Sequence, residues 1–176
     1  AGPVVAAAVI LPPEIRIDYI RDSKTLSRLQ RERLAAHIQR KAVAWALGEA
    51  TPQEITVLNL HWAAVKAMRQ ALEGLRPPPD AVLSDAYRIP DLTAYHEAIV
   101  KGDRRVRSIA AASIIAKVHR AALMRQMDYA YPNYGFAEHK GYATKEHQQA
   151  LKRLGPCPIH RPSFAPVRAL ELSGRR

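Results

Sequence analysis

Three aspartates stand where the chain could hold a divalent cation. Asp85 comes just after the short apolar run 81–83, whereas Asp22 and Asp103 lie in polar segments. Sheets in α/β proteins present ligands at the carboxyl ends of their strands, and carboxylate oxygens are preferred ligands of Mg²⁺. A cation held there could assist the hydrolysis of a phosphodiester, a reaction that usually needs several acids around two cations.

Each aspartate also has a simpler interpretation. Asp85 could be an ordinary turn residue, and Asp22 could be a loop or cap residue. Asp103 could be an ion-pair partner or an acid at a helix N-terminus, because four cations surround it: Lys101, Arg104, Arg105 and Arg107. The residues alone therefore indicate a basic α/β domain that could act on phosphodiesters, and they leave metal binding open.

Charge gives the first indication of a partner. The 176 residues carry a net charge of +11. Residues 1–100 have 12 Lys and Arg against 11 Asp and Glu, whereas residues 101–176 have 15 against 5. A positive field concentrated on one part of a chain favours a polyanion, most simply nucleic acid, although a basic soluble surface would have the same composition.

Cysteine usage and hydropathy bear on the compartment. Cys157 is the one cysteine in the sequence, which excludes an internal disulfide and suits a reducing cytoplasm. No run of about 18 uncharged apolar residues is present, as a membrane-spanning helix would need. We therefore predict a cytoplasmic protein without membrane association.

Hydrophobic patterning predicts strands that alternate with helices. Strands are expected over 4–11, over 43–47 with Gly48 as the stop, over 81–83 and over 98–100. Helices are expected from a Ser27 cap to residue 41, from a Thr51 cap to residue 74, over 108–131 and over 144–154, with an irregular tail after Gly155. This order predicts an α/β domain with a mixed sheet flanked by helices.

Seven sequence blocks, in order and spacing, resemble the bacterial ribonuclease HII family. The blocks are 1–11 (AGPVVAAAVIL), 22–27 (DSKTLS), 83–86 (LSDA), 100–103 (VKGD), 108–118 (SIAAASIIAKV), 139–142 (HKGY) and 159–164 (IHRPSF). Any single block would be a weak signal, but together they cover nearly the whole chain. The resemblance implies the ribonuclease H-like fold in a single domain over residues 1–176, with a helical C-terminal part at about 136–176.

The resemblance also implies an activity. Members of this family cleave the RNA strand of RNA–DNA hybrids and cut 5′ to ribonucleotides embedded in DNA, leaving 3′-hydroxyl and 5′-phosphate ends. They require Mn²⁺ or Mg²⁺ and take part in ribonucleotide excision repair and DNA replication. We therefore expect RNA–DNA hybrid or ribonucleotide-containing DNA as the partner of a monomeric protein.

Several residues match functional positions of the family. Asp85 matches the catalytic, metal-binding aspartate that follows a central strand. Tyr142 matches a tyrosine placed against the sugar beside the ribonucleotide; without the motif it would be interpreted as a packed core residue. The resemblance implies further substrate contacts at Ser23, Lys24, Lys101 and Arg104. The histidines of this region are expected to be structural or phosphate-facing: His139, His147 and His160.

Two departures from the family pattern bear on activity. The family places an Asp-Glu-Ala-Gly-Arg-Gly-Pro-Leu block just ahead of the sequence that begins here at Ala1, so we expect the first central strand, the acid pair and the reader of the ribose 2′-hydroxyl to be missing from this chain. Ala121 occupies the place of a helical aspartate, and His119 would point about 200° away from that position on a helix. Little cleavage is therefore expected, and two rivals stay open: a non-catalytic RNA–DNA hybrid-binding protein and a basic scaffold such as a ribosome-associated domain.

Overall fold

The computed structural model describes residues 1–15 and 26–173, so the predicted loop residues Asp22, Ser23 and Lys24 lie outside the described residues. Four strands and seven helices occur along the described chain. Their order is β1 (Val4–Ile10), α1 (Arg28–Lys41), β2 (Ala44–Ala50), α2 (Pro52–Glu73), β3 (Ala81–Asp85), β4 (Tyr95–Ile99), α3 (Gly102–Arg105), α4 (Arg107–Ala130), α5 (Phe136–His139), α6 (Lys145–Leu154) and α7 (Ala165–Ser173).

Capping side chains fix the starts of the first two helices, as predicted. The Ser27 N–H donates to Gln30 Oε1 at 2.8 Å, and the Gln30 N–H donates to Ser27 Oγ at 3.3 Å. Thr51 and Glu54 exchange the same pair of bonds at the start of α2, at 2.8 and 3.2 Å. These reciprocal bonds satisfy N–H groups that have no partner within the helix.

Helix α2 is interrupted at Asn59, which the hydrophobic spacing did not predict. Asn59 has a φ of 64° and a ψ of 171°, outside the helical region. Its Oδ1 accepts from the N–H groups of His61 and Trp62, at 2.9 and 3.2 Å. An Asx side chain that accepts from the second and third following N–H groups acts as an N-cap, so the helix restarts here.

The sheet formed by β1 and β2 is packed on both faces. Alternate residues of β1, namely Ala7 and Val9, pack with a cluster whose buried members come from α1 and α4: Ala35, Ile38, Ala110, Ala111, Ile114 and Ile115. On the other face, Ala8 and Ile10 pack with Ala71 and Leu75. Because successive strand residues point to opposite faces, an apolar strand enclosed by helices on both sides is uniformly apolar, as this one is.

Strands β3 and β4 form a second sheet and run parallel. Their register pairs Ala81 with Tyr95 and Asp85 with Ile99. Both strands therefore end at the same edge, and the residues that follow them meet there. Among the described residues, the hydrogen-bonded strands form two two-stranded sheets, β1 with β2 and β3 with β4.

The chain forms two compact units. One comprises Ala1–Val4, Ala50–Ala63 and His119–Arg176, and the other comprises Val5–Glu49 and Ala64–Val118. The first unit has a core around Met124, Tyr134, Phe136 and Ala150. None of the helices within residues 1–15 and 26–173 has the length and hydropathy of a membrane span.

Three predicted boundaries were wrong. Strand β2 continues through Gly48 to Ala50, because glycine is required there for packing and does not end the strand. A Cβ at Gly48 would lie 2.0 Å from the carbonyl oxygen of Ala67. Strand β4 begins at Tyr95, earlier than expected, and the tail predicted as irregular contains α7, whose Pro166 lies in the first turn, where proline is tolerated.

Candidate functional site

Asp85 ends β3 with its carboxylate held by the backbone. The N–H of Gly102, the first residue of α3, donates to Asp85 Oδ1 at 2.9 Å. The parallel pairing of β3 with β4 makes this bond possible, because the segment after β4 returns to the end of β3. Asp85 is half-buried, and a carboxylate that accepts from a fixed N–H has a defined orientation.

Asp103 belongs to the same edge of the sheet. It follows Gly102 directly, lies in the first turn of α3 and is half-buried. The interpretation of Asp103 as a helix N-terminal acid agrees with its position in α3, but the bond from Gly102 also brings this segment to Asp85. We call Asp85 and Asp103 the acid edge.

The backbone around the acid edge is strained. Ala86 and Lys101 have φ values of 63° and 56°, in the left-handed region that costs non-glycine residues about 1–3 kcal/mol each. The strain is held in place by neighbouring bonds, since the Ala86 N–H donates to Ile99 O at 3.0 Å and the Tyr87 N–H donates to Asp85 O at 2.8 Å. Strain of this kind concentrates at functional sites.

A serine and a histidine brace the turn after Asp85. Ser84 Oγ lies 2.6 Å from the carbonyl oxygen of Tyr87 and 2.8 Å from His96 Nε2. The hydroxyl must donate to the carbonyl, so His96 Nε2–H donates to the hydroxyl. Burial lowers the pKa of His96, as does the charge of Arg88. This pair is not a nucleophile with its base, because the imidazole nitrogen that faces Ser84 already carries a proton.

Exposed cations accompany the acid edge. Lys101, Arg104 and Arg105 are exposed in and just before α3. Two of them, Lys101 and Arg104, were predicted as substrate contacts. Arg107 differs, since its Nη1 donates to the carbonyl of Ile15 at 2.7 Å and so supports the fold.

The acid edge offers two carboxylates, fewer than an all-protein metal site needs. Among residues 1–15 and 26–173, no group of three or more His, Cys, Asp or Glu side chains could hold a metal ion. Mg²⁺ is commonly bound by one or two carboxylates, with water and substrate phosphates completing its shell. Asp85 and Asp103 match that use and do not match an all-protein metal cage.

Tyr142 presents its ring to solvent from a tightly held loop. The side chain is 64% exposed, so it is not a packed core residue, and the Arg120 guanidinium lies over the ring, 5.0 Å from its centroid. Gly141 before it has a φ of 75°, and a Cβ there would lie 2.7 Å from the Ala1 carbonyl oxygen. The Tyr142 N–H donates to His139 O, and its carbonyl accepts from the Thr144 N–H, both at 2.9 Å.

Two arginines hold residues 1–3 beside this loop. Arg120 Nε and Nη2 donate to the carbonyls of Pro3 and Ala1, at 3.1 and 3.0 Å. Arg161 Nε donates to Gly2 O at 3.0 Å. Burial lowers the pKa of Arg120. Burial, with the nearby charge of Arg120, lowers the pKa of Arg161 to about 10, so the Arg161 guanidinium keeps its charge at neutral pH.

Three imidazoles are buried below the Tyr142 loop. His139, His147 and His160 are each at most 9% exposed. Burial lowers the pKa of His147, and it lowers that of His160, with help from the charge of His147, to about 4. The imidazoles of His147 and His160 are therefore neutral at pH 7, which suits a structural position better than a phosphate contact.

The remaining predicted positions lie in α4. Ala121 and His119 are half-buried there, and the methyl group of Ala121 offers no ligand atom. The sequence interpretation treated Asp103 as an ion-pair partner or a helix N-terminal acid, and the bond from Gly102 to Asp85 places its segment beside Asp85. A second acid placed just after the next parallel strand must lie near the first one.

Comparisons with known proteins place these features in a family. A sequence model of ribonuclease HII matches residues 1–167. The chain is 49% identical over 170 residues to the ribonuclease HII of Idiomarina loihiensis, covering 97% of this chain and 91% of that protein. It is 53% identical over 168 residues to the ribonuclease HII of Nitrosococcus oceani, covering 96% of this chain and 84% of that protein.

Solved structures confirm the ribonuclease H-like α/β fold. The ribonuclease H2 of Pyrococcus horikoshii matches with a TM-score of 0.78 and 26% identity, covering all of this chain and 95% of that one. RNase HII in its complex with PCNA from Archaeoglobus fulgidus matches with a TM-score of 0.71 and 24% identity, covering 92% and 86%. Bst-RNase HIII in complex with Mn²⁺ matches with a TM-score of 0.66 and 19% identity, covering 99% and 66%.

Proposed function

Because this chain belongs to the ribonuclease HII family, we propose that it is an endoribonuclease that cleaves the RNA strand of RNA–DNA hybrids and cuts 5′ to ribonucleotides embedded in DNA. The observation that supports this most directly is the acid edge, where the Gly102 N–H holds Asp85 beside the segment that carries Asp103. Hydrolysis would leave 3′-hydroxyl and 5′-phosphate ends. The setting would be ribonucleotide removal and DNA replication in the cytoplasm, by a monomer.

The acid edge would hold Mn²⁺ or Mg²⁺ through Asp85 and Asp103. A bound divalent cation supplies Lewis-acid activation of the phosphodiester and of water. The chain itself contributes orientation, since the Gly102 N–H fixes one carboxylate oxygen of Asp85. The Ser84–His96 pair in turn fixes the loop that follows Asp85.

Substrate recognition would be divided between charge and shape. Lys101 and Arg104 are exposed near the acid edge and would contact phosphates, as would Ser23 and Lys24. Such contacts give affinity and salt dependence but no sequence preference. Tyr142 would pack its exposed ring against the sugar beside the ribonucleotide, with Arg120 behind it. Discrimination would then rest on hybrid shape and on the ribose 2′-hydroxyl.

Residues 1–176 on their own are expected to bind substrate and to cleave it negligibly. They contain no adjacent Asp-Glu pair, and Ala121 stands where the family pattern has an aspartate. Ala121 favours a second candidate function, a non-catalytic RNA–DNA hybrid-binding protein. Both candidates would bind the hybrid, and they differ only in turnover.

Fluorescence anisotropy with an 18-base-pair duplex tests hybrid binding, which both candidate functions require. We expect the 176-residue chain to bind an RNA–DNA hybrid more tightly than the same sequence as DNA duplex, and to lose affinity steeply as salt rises. Incubation in Mn²⁺ should yield negligible product. Equal affinity for both duplexes would contradict hybrid recognition, and rapid turnover would contradict the expectation of impaired cleavage.

A further inference from the structure

A buried imidazole holds the backbone of Tyr142. His147 Nδ1 lies 2.8 Å from the Tyr142 carbonyl oxygen, so the nitrogen must carry a proton and donate. That carbonyl also accepts from the Thr144 N–H, which means that both of its lone pairs are used. The backbone of Tyr142 therefore has one position, while its ring is exposed.

The neighbouring groups fix which nitrogen of His147 carries the proton. The Cys157 N–H donates to His160 Nδ1 at 2.9 Å, a shorter contact than the 3.3 Å from this nitrogen to the Cys157 carbonyl oxygen, so we assign the proton of the neutral His160 ring to Nε2. His160 Nε2–H points at His147 Nε2, 3.1 Å away, and must donate to it. His147 Nε2 is thereby an acceptor, which leaves its own proton on Nδ1, facing Tyr142.

A third imidazole confines the ring of His147. His139 stacks on it with the ring centroids 4.3 Å apart and the planes 15° from parallel. His139 is itself fixed, since its Nδ1 accepts from the Gly141 N–H at 3.1 Å and its Nε2–H donates to Tyr134 O at 2.7 Å. We call the hydrogen bonds that run from His160 through His147 to the Tyr142 carbonyl the imidazole relay. Both imidazoles are buried, whereas the ring of Tyr142 is exposed.

We propose that His147 and His160 are positioning residues that set the location of Tyr142 for its contact with the nucleic acid. This role rests on the proposed function, because it assumes that the Tyr142 ring touches substrate. His160 acts through His147 by fixing its tautomer, and His147 acts through the Tyr142 carbonyl. Neither imidazole touches the nucleic acid.

Two matched substitutions separate this role from simple packing. His147→Asn keeps an amide N–H near the position of Nδ1 and so keeps the donor to Tyr142. His147→Gln places its amide near the position of Nε2 instead and loses that donor. We expect His147→Gln to weaken binding of an RNA–DNA hybrid about five- to ten-fold, and His147→Asn to stay within about two-fold of the unaltered chain. Thermal unfolding of both variants reports whether each is folded.

A double-mutant cycle tests whether the effect passes through Tyr142. Tyr142→Ala should weaken hybrid binding about ten-fold, and His147→Gln added to it should change affinity less than about two-fold further. An equal effect of His147→Gln in both backgrounds would overturn the proposal, as would equal losses for Gln and Asn.

The tautomers supply a readout that needs no substrate. Nitrogen-15 NMR of the 176-residue chain should show the proton of His147 on Nδ1 and that of His160 on Nε2, and His160→Gln, which keeps a donor near Nε2, should leave His147 unchanged. The opposite tautomer at His147 would overturn the relay itself. If the tautomers are as expected but the unaltered chain shows no hybrid affinity, the proposed function fails, and the positioning role fails with it.

Discussion

Replacing Gly48 by alanine would place a methyl group in the closest contact between β2 and α2. The new Cβ would lie 2.0 Å from the carbonyl oxygen of Ala67 and 2.7 Å from the nitrogen of Ala71. Both atoms belong to the backbone of α2, so no side-chain rotation can relieve the clash. The helix would have to move by more than about 1 Å, although Ala67, Ala71 and Leu75 are at most 2% exposed. Overpacking that only backbone movement can relieve should cost about 3–5 kcal/mol, above the usual range for added methyl groups.

Thermal unfolding followed by circular dichroism measures this cost. For a chain of this length, 1 kcal/mol corresponds to about 2–4 °C, so Gly48→Ala should lower the Tm by about 6–20 °C. Gly155→Ala is the matched control, because a Cβ there meets nothing within 4 Å and only its φ of 75° opposes the substitution. Since its ψ of 179° places this residue in a region that only glycine commonly adopts, the strain should cost about 1–3 kcal/mol. A Tm for Gly48→Ala no lower than that of Gly155→Ala would refute the packing argument.

Three further predictions concern the acid edge and the buried imidazoles. Asp85→Asn and Asp103→Asn should each weaken Mn²⁺ binding at least about ten-fold in a calorimetric titration. Asp80→Asn is the control, because Asp80 is exposed and lies at the opposite end of β3, and it should leave Mn²⁺ affinity unchanged. Equal effects of all three substitutions would contradict metal binding at the acid edge. The pKa of His160 is lowered from 6.5 to about 4, so as the pH falls the unfolded chain takes up this proton before the folded chain does. The neutral imidazole therefore stabilises the fold fully above about pH 6.5, and up to about 3 kcal/mol of the free energy of unfolding is lost toward pH 4. The urea midpoint should accordingly fall less between pH 7 and pH 4.5 in His160→Gln than in the unaltered chain. Ser84→Ala should lower the free energy of unfolding by about 1–3 kcal/mol, because His96 Nε2–H and the Tyr87 carbonyl oxygen both lose their hydrogen-bond partner. An unchanged Tm would show that the turn does not need the hydroxyl.

The sequence predicted the features that depend on residues close together in the chain. Ser27 and Thr51 were identified as helix caps because the bonds that they make span only three residues. Asp85 was placed at a strand end for a similar reason, since the apolar run before it is short and ends abruptly. In both cases the residues that determine the structure are neighbours in the chain.

Features that depend on distant residues could not be read in the same way. The role of Gly48 depends on a helix about 20 residues further along the chain, and the bond from Gly102 to Asp85 spans 17 residues. The imidazole relay joins His147 to His160 across 13 residues, and its tautomers follow only from the surrounding carbonyl and N–H groups. Periodicity reports which face of an element is buried but not which element covers it.

The most direct test of the central claim is cleavage of a DNA duplex that contains one ribonucleotide. The protein would carry the family's Asp-Glu-Ala-Gly-Arg-Gly-Pro-Leu block and the strand that precedes it ahead of Ala1, and the reaction would be run in Mn²⁺ with the product ends mapped. We predict a single cut 5′ to the ribonucleotide that leaves a 3′-hydroxyl, is abolished by Asp85→Asn and by Asp103→Asn, and becomes faster with Ala121→Asp. No cut in the unaltered or the Ala121→Asp form, or a cut that survives Asp85→Asn, would contradict the claim.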